Sequence, residues 1–135
     1  MNATSSPDID ALIAAFYAAF DNRGTRAPAT AALRAMFAPG GRITRVAPGH
    51  IDSWSIEEFI APRAAMLTDG TLTDFTEWET EGATTVFRNI ASRQSHYRKV
   101  GTMNGAPYFG GGQKFIQLIR IDTRWMITSV LWEDV

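Results

Sequence analysis

A chain of 135 residues, 45% hydrophobic and 20% charged, has material for one core, so one domain is expected over 1–135, with 1–7 as a flexible N-terminal tail. Thirteen Lys and Arg against fourteen Asp and Glu give a formal net charge of −1, without the basic footprint that counterion release requires, so no nucleic acid partner is expected. Cysteine is absent, which excludes disulfides, thiolate metal sites and a cysteine nucleophile.

The apolar residues Ile9, Leu12, Ile13, Phe16, Tyr17 and Phe20 recur at the spacing of one helical face and predict a first helix opening at Ser5, Ser6 or Pro7. No basic leader precedes it and no apolar run approaches the roughly 20 residues of a bilayer span, so a cytoplasmic chain with no membrane partner is expected. Asn22 to Pro28 reads as a loop. Leu33, Met36 and Phe37 then predict a short second helix, stopped by Pro39, Gly40 and Gly41. Residues 42–46 (RITRV) are a short β-branched stretch, and Pro48 to Trp54 read as a loop leading into a capping box of Ser55 and Glu58. The third helix buries Ile56, Phe59, Ile60, Ala64 and Leu67, with a kink expected at Pro62, which offers no N–H to the carbonyl of Glu58.

From Leu72 the period changes to two, and Leu72–Glu81, Ile90–Val100, Gln113–Ile121 and Trp125–Asp134 read as antiparallel strands. Gly101 to Gly112 reads as a long Gly-rich loop and pocket lip; Asp122, Thr123 and Arg124 make a tight turn. Asp74, Glu77, Glu79 and Glu81 on one strand can pair with Arg93, Arg98 and Lys99 on the next, which helps set the register. Neither face of the last two strands is plainly polar, so a second subunit is expected to cover one of them in a homodimer through the sheet.

A first helix ending AAFD, a second ending MFAPGGRIT, a third helix and strands closing with KFIQLIRIDTRWMITSVLWEDV resemble the nuclear transport factor 2 (NTF2)-like superfamily over Asp8 to Asp134. Within that span, IASRQSHY (90–97) and the W-x-I-x-S-x-x-W-E-D ending resemble its SnoaL-like and ketosteroid-isomerase-like branches. The resemblance implies an α+β cone, three N-terminal helices packed on a strongly curved antiparallel sheet around a pocket. That cone serves isomerases, dehydratases, cyclases, epoxide hydrolases and non-catalytic binders, so the fold alone does not assign a function.

Resemblance to the isomerase arrangement turns Ala91, Arg93, Ser95 and Tyr97 inward, with Phe115, Gln117 and Ile119, and with Met126, Thr128, Val130 and Trp132. Phe16 and Tyr17 face them from the first helix. This lining suits a small hydrophobic or aromatic molecule held by one or two hydrogen bonds. The isomerase's own acid and base positions fall at Phe16, near Thr44 or Arg45, and at Gln117; none supplies the required base, so steroid isomerisation is not expected. No cofactor is expected, nor a metal site, since His50 and His96 are the only histidines.

Arg93 could hold a carboxylate or a polarised carbonyl with its planar fork, or it could be salt-bridged to Glu77 or Glu79. An imidazole can in general exchange a proton near neutrality, so His96 could serve dehydratase or cyclase chemistry with Tyr17 or Tyr97. On a regular strand, however, His96 and Arg93 face opposite ways, and only a bulge would turn both inward. Arg93, Tyr17 and His96 are therefore the catalytic candidates, and Phe16, Ser95, Tyr97, Phe115, Gln117, Ile119, Thr128, Val130 and Trp132 the ligand-binding ones. The expected function is small-molecule binding in the cone, with a lyase or isomerase activity open. The alternative is a non-catalytic module in which Arg93 is locked to a glutamate and Phe16, Met126 and Trp132 fill the pocket.

Overall fold

The computed structural model describes residues 6–135. Helix α1 spans Pro7–Ala18. Ser6 caps it by accepting from the Ile9 N–H at 3.4 Å, Pro7 sits where a missing N–H costs nothing, and Asp8 and Asp10 oppose the positive end of the helix dipole. Ser6 and Pro7 are thus part of a capped helix and not of the expected tail, whose residues 1–5 lie outside the described residues. A 3₁₀ turn at Thr30–Ala32 runs into α2, Leu33–Met36. Phe37, expected at the end of that helix, instead opens a strand.

That strand, β1 (Phe37–Ala47), pairs with β2 (His50–Ser55), so the segment expected to be a loop before the capping box is half of a hairpin. The capping box is formed: Ser55 N donates to Glu58 Oε1 at 2.8 Å and Glu58 N to Ser55 Oγ at 3.2 Å. It opens α3 (Ile56–Met66), which contains Pro62. Because β1 and β2 come before α3, the three helices are not all N-terminal to the sheet, contrary to expectation.

Four more strands follow: β3 (Leu72–Phe87), β4 (Ile90–Met103), β5 (Ala106–Ile121) and β6 (Arg124–Asp134). The order is β2-β1-β6-β5-β4-β3 in one six-stranded sheet. β1 runs parallel to β6, so the sheet is mixed and not wholly antiparallel. The expected Gly-rich loop is a continuation of β4 and β5, which pair without a break from Ile90↔Ile119 to Met103↔Ala106. Asn104 and Gly105, both at positive φ (50° and 81°), make the two-residue turn that matches strand twist.

Two of the four register shifts among the described strands bear on the residues expected at the site. Between Glu79↔Tyr97 and Glu81↔His96, Thr80 is an extra residue in β3. Between Gln117↔Ser129 and Leu118↔Ile127, Thr128 is an extra residue in β6, and its hydroxyl donates to the Gln117 carbonyl at 3.1 Å. Each reverses the alternation of its strand beyond that point.

The core lies between the helices and one sheet face, around Ile9, Ile13, Phe16, Leu33, Ile43, Phe59, Ile116, Leu118, Ile127 and Val130. Asn22 joins its parts: its amide donates to the Leu67 and Leu72 carbonyls at 2.9 and 2.8 Å, and its Oδ1 accepts from Phe75 N at 2.7 Å. Burying that amide is tolerated because each of these bonds is made. Among the described residues no helix is long and apolar enough to cross a membrane.

Candidate functional site

A cavity of about 160 Å³ opens between the helices and the sheet. Its apolar wall includes Phe16 from α1 and Phe20 just beyond it, Phe59 and Met66 from α3, Phe75 from β3 and Trp132 from β6. Its polar lining is Arg45, Arg63, Glu77, Tyr97, Lys99, Tyr108, Lys114 and Asp134. An apolar cavity of about 150 Å³ is large enough to take benzene, so the space suits a small molecule and not a steroid-sized one.

The polar groups are organised by strand alternation. On β4, Arg93, Ser95 and Tyr97 are buried while His96 is exposed on the other face, in register with Glu81 and Gln113. β4 pairs with β5 without a bulge, so nothing turns His96 back, and the catalytic reading of this histidine is set aside. On β5 the inward residues are Lys114, Ile116 and Leu118. Phe115 is 44% exposed on the outer face with Gln117. Ile119 and Thr128 border a shallow outer-face depression. Phe115, Gln117, Ile119 and Thr128 are therefore not pocket residues, a correction of one step in parity on β5 and of the bulge on β6.

Phe16, Tyr97 and Trp132 do line the cavity. Val130 is 1% exposed and belongs to the core. Tyr17 and Ser95 are buried beside it, with the Tyr17 hydroxyl 2.7 Å from Ser95 Oγ. Burial pushes the Tyr17 phenol above its ordinary value, outweighing the Ser95 bond. Met126, expected to fill the pocket, is not among its walls.

Arg93 is committed elsewhere. Its Nε donates to Glu79 Oε2 at 3.1 Å and its Nη2 to Glu79 Oε1, a bidentate pair. Nη1 donates to Asp10 Oδ1 at 2.5 Å and to Thr84 Oγ1 at 2.8 Å. Burial lowers the guanidinium's proton affinity, yet the bonds to Glu79 and Asp10 outweigh it and raise the pKa above the ordinary value. Ser95 Oγ also donates to Glu79 Oε2 at 2.6 Å. Gly82 makes the pair possible, since a Cβ there would stand 2.6 Å from Glu79 Oε2 and 2.7 Å from Arg93 Nε. With its fork engaged by Glu79, Asp10 and Thr84, Arg93 is tied down outside the lining of this cavity.

Inside the cavity two carboxylates face four cations. Lys114 Nζ lies 2.9 Å from Glu77 Oε2, and its ammonium sits 3.9 Å from the Tyr97 ring centroid and 5.0 Å from that of Trp132. Burial lowers the Lys114 pKa against the attraction of Glu77. Asp134 receives Lys99 Nζ at 3.3 Å, Arg45 Nη2 at 3.4 Å and the Tyr97 hydroxyl. Burial works to raise Asp134, and the Tyr97 bond with the two cations overcomes it, so its pKa lies below the usual carboxylate range. Burial and the Asp134 carboxylate together push the Tyr97 phenol far up.

The fourth cation, Arg63 of α3, stands over three aromatic rings: Phe59 at 3.8 Å, Trp54 at 4.9 Å and Trp132 at 5.9 Å. Burial, with Arg45 nearby, lowers its pKa to about 10. It remains charged at neutral pH.

Arg63 and Lys114 are not among the site residues the sequence points to, and Lys99 enters there only as a cross-strand partner of the acidic strand, although signals for all three exist. Arg63 falls four residues after Phe59 and four before Leu67, on the buried stripe of α3. Lys99 continues the Arg93–Ser95–Tyr97 alternation, and Lys114 shares the parity of Ile116 and Leu118. Among the described residues no cluster of three or more His, Asp or Glu is disposed to hold a metal ion.

No family model matches the sequence, and no curated protein matches it. Solved structures do match the fold. An NTF2-like superfamily protein from Salmonella enterica serovar Typhimurium superposes with TM-score 0.74 at 15% identity, covering 93% of this chain and 87% of that one. A protein of unknown function with a cystatin-like fold from Nostoc punctiforme gives TM-score 0.71 at 18% identity, over 100% and 96% of the two chains. A protein provisionally described as a scytalone dehydratase, from Novosphingobium aromaticivorans, gives 0.74 at 11% identity, over 95% and 82%. The chain has the NTF2-like fold, with three helices packed on a six-stranded sheet.

Proposed function

We propose that this protein binds a small, mainly apolar molecule in its cone and does so as a homodimer. The observation that carries the binding reading is the cavity of about 160 Å³, lined by aromatic side chains from the helices and the sheet together with polar groups. Neither form of the non-catalytic alternative fits fully: Arg93 is locked to Glu79, yet the cone is not filled. The ion pairs of Arg93 and the outward face of His96 favour binding over lyase or isomerase chemistry centred on either residue. Native mass spectrometry of freshly purified protein tests the reading: a co-purified small molecule supports it, and its loss on Met66→Trp, which fills the cavity from α3, places it in the cone.

The dimer reading rests on the uncovered sheet face. Phe115 (44% exposed) and Leu131 (41%) lie opposite each other in register, and Val100 pairs with Phe109 (76%) further along. Exposed Arg98 and Glu133 flank them, so a twofold arrangement could bury apolar surface and match opposite charges. Light scattering at micromolar concentration should give twice 14.9 kDa. A mass of 14.9 kDa would overturn this reading.

A further inference from the structure

We infer that the molecule taken into the cone carries an anionic group, of planar carboxylate type, and that Arg63 is the residue that holds it. This rests on the small-molecule reading above and narrows it to a chemical class.

The first argument is charge. A cavity floored by two carboxylates and four cations has a surplus of positive charge in a partly desolvated space, where an unmatched ion is costly. The surplus can be located. Glu77 is engaged by Lys114, and Asp134 by Lys99 and Arg45. Among the described residues no carboxylate lies within ion-pair distance of Arg63.

The second argument is geometric. Arg63 stands over the Phe59 ring, its Cζ 3.8 Å from the centroid, with Trp54 and Trp132 stacked on each other beside it at 6.0 Å. A contact of the cation with the ring uses no hydrogen-bond acceptor, so it leaves the N–H donors of the fork to other partners. Every fully buried side-chain nitrogen and oxygen among the described residues has a partner. The Arg63 donors have no partner among the described residues, so they keep access to solvent, and Arg63 is one of the residues that line the cavity. A rigid fork lying beside an aromatic wall complements a planar carboxylate bidentately, with the ligand's apolar part against Phe16, Phe20 and Trp132.

Benzoate and benzyl alcohol are probes of similar size that differ in charge. Each is titrated against the intrinsic fluorescence of Trp54 and Trp132 at fixed ionic strength. Benzoate should bind at least tenfold more tightly, equivalent to about 1.4 kcal/mol. Arg63→Met, which keeps an apolar stem on Phe59, should bring benzoate down to the affinity of benzyl alcohol while leaving the alcohol within twofold; Arg63→Lys should restore part of the difference. Equal binding of the two probes by the native chain overturns the anion inference and leaves the cone reading standing. A benzoate preference that survives Arg63→Met overturns the role of Arg63. Failure of both probes to bind overturns the cone reading itself. If Arg63→Met loses its far-UV circular dichroism signature, Arg63→Gln takes its place, and the comparison of probes on the native chain decides the anion inference without any variant.

Discussion

Lys114 on β5 and Glu77 on β3 meet at 2.9 Å across the intervening β4, and the pair forms the floor of the cone. Their side chains are 7% and 12% exposed, so neither charge is screened by bulk water. Lys114 also lies against the Tyr97 and Trp132 rings, which ties its position to the cavity wall.

Breaking this pair from one side should cost more than removing it whole. Glu77→Gln is expected to lower the unfolding free energy by about 3–5 kcal/mol, the range for an orphaned buried charge, less what Lys114 recovers by releasing its proton. Glu77→Gln with Lys114→Met should be clearly more stable than the sum of the two single changes. Urea unfolding of the singles and the double gives the coupling energy, and a value below about 0.5 kcal/mol would show the groups to be independent.

Arg93 should behave as a structural residue. Arg93→Met strands Glu79 and Asp10 and is expected to cost about 3–5 kcal/mol of stability, with the affinity for benzyl alcohol in the cone changed less than twofold. Denaturant unfolding and fluorescence titration read the two effects separately. A tenfold loss of binding at unchanged stability would return Arg93 to the ligand site.

The three consecutive glycines of β5 are not equivalent. A Cβ on Gly112 would stand 2.7 Å from the Tyr97 hydroxyl and 2.9 Å from Asp134 Cα, whereas one on Gly110 would meet only Lys99 Cε at 3.4 Å. Gly112→Ala is expected to destabilise by about 1–3 kcal/mol through overpacking. Gly110→Ala should stay within about 0.5 kcal/mol. Thermal unfolding of both separates a close-approach glycine from a tolerant one.

Acid should weaken the fold partly through Asp134. Its folded pKa lies below the unfolded value of about 3.9, so its stabilisation is complete above that value and is lost as pH falls through the folded pKa. Asp134→Asn should therefore show a lower Tm near neutrality and a shallower decline of Tm between about pH 5 and pH 2. Parallel declines in the two proteins would remove Asp134 from the acid limb.

Local sequence was enough wherever a single element decided its own structure. The 3.6-residue stripe of α1, the Ser55–Glu58 capping box and the Asp122–Thr123 turn are short-range devices, and each stands where it was read. The strands beginning at Leu72 and Ile90 announced themselves by a change of period, though their far ends ran on past Glu81 and Val100 to Phe87 and Met103. The β1–β2 hairpin was missed because Pro39, Gly40 and Pro48 argue locally against strand, and pairing with β6 overrides them.

Composition and periodicity by themselves determined one core, an α+β chain and the absence of cysteine chemistry, while the inward set of β4 came from the resemblance. Tertiary structure alone decided which of β5's two faces looks into the cone, because Lys114-Ile116-Leu118 and Phe115-Gln117-Ile119 are equally amphipathic as sequence and only pairing with β4 and β6 separates them. It also decided the charges. In sequence Arg93 had two candidate partners and Arg63 was one helical arginine among others; in the fold Glu79 and Asp10 take the first, and the second is left facing the cavity, since an ion pair depends on distance across the sheet and not on spacing along the chain.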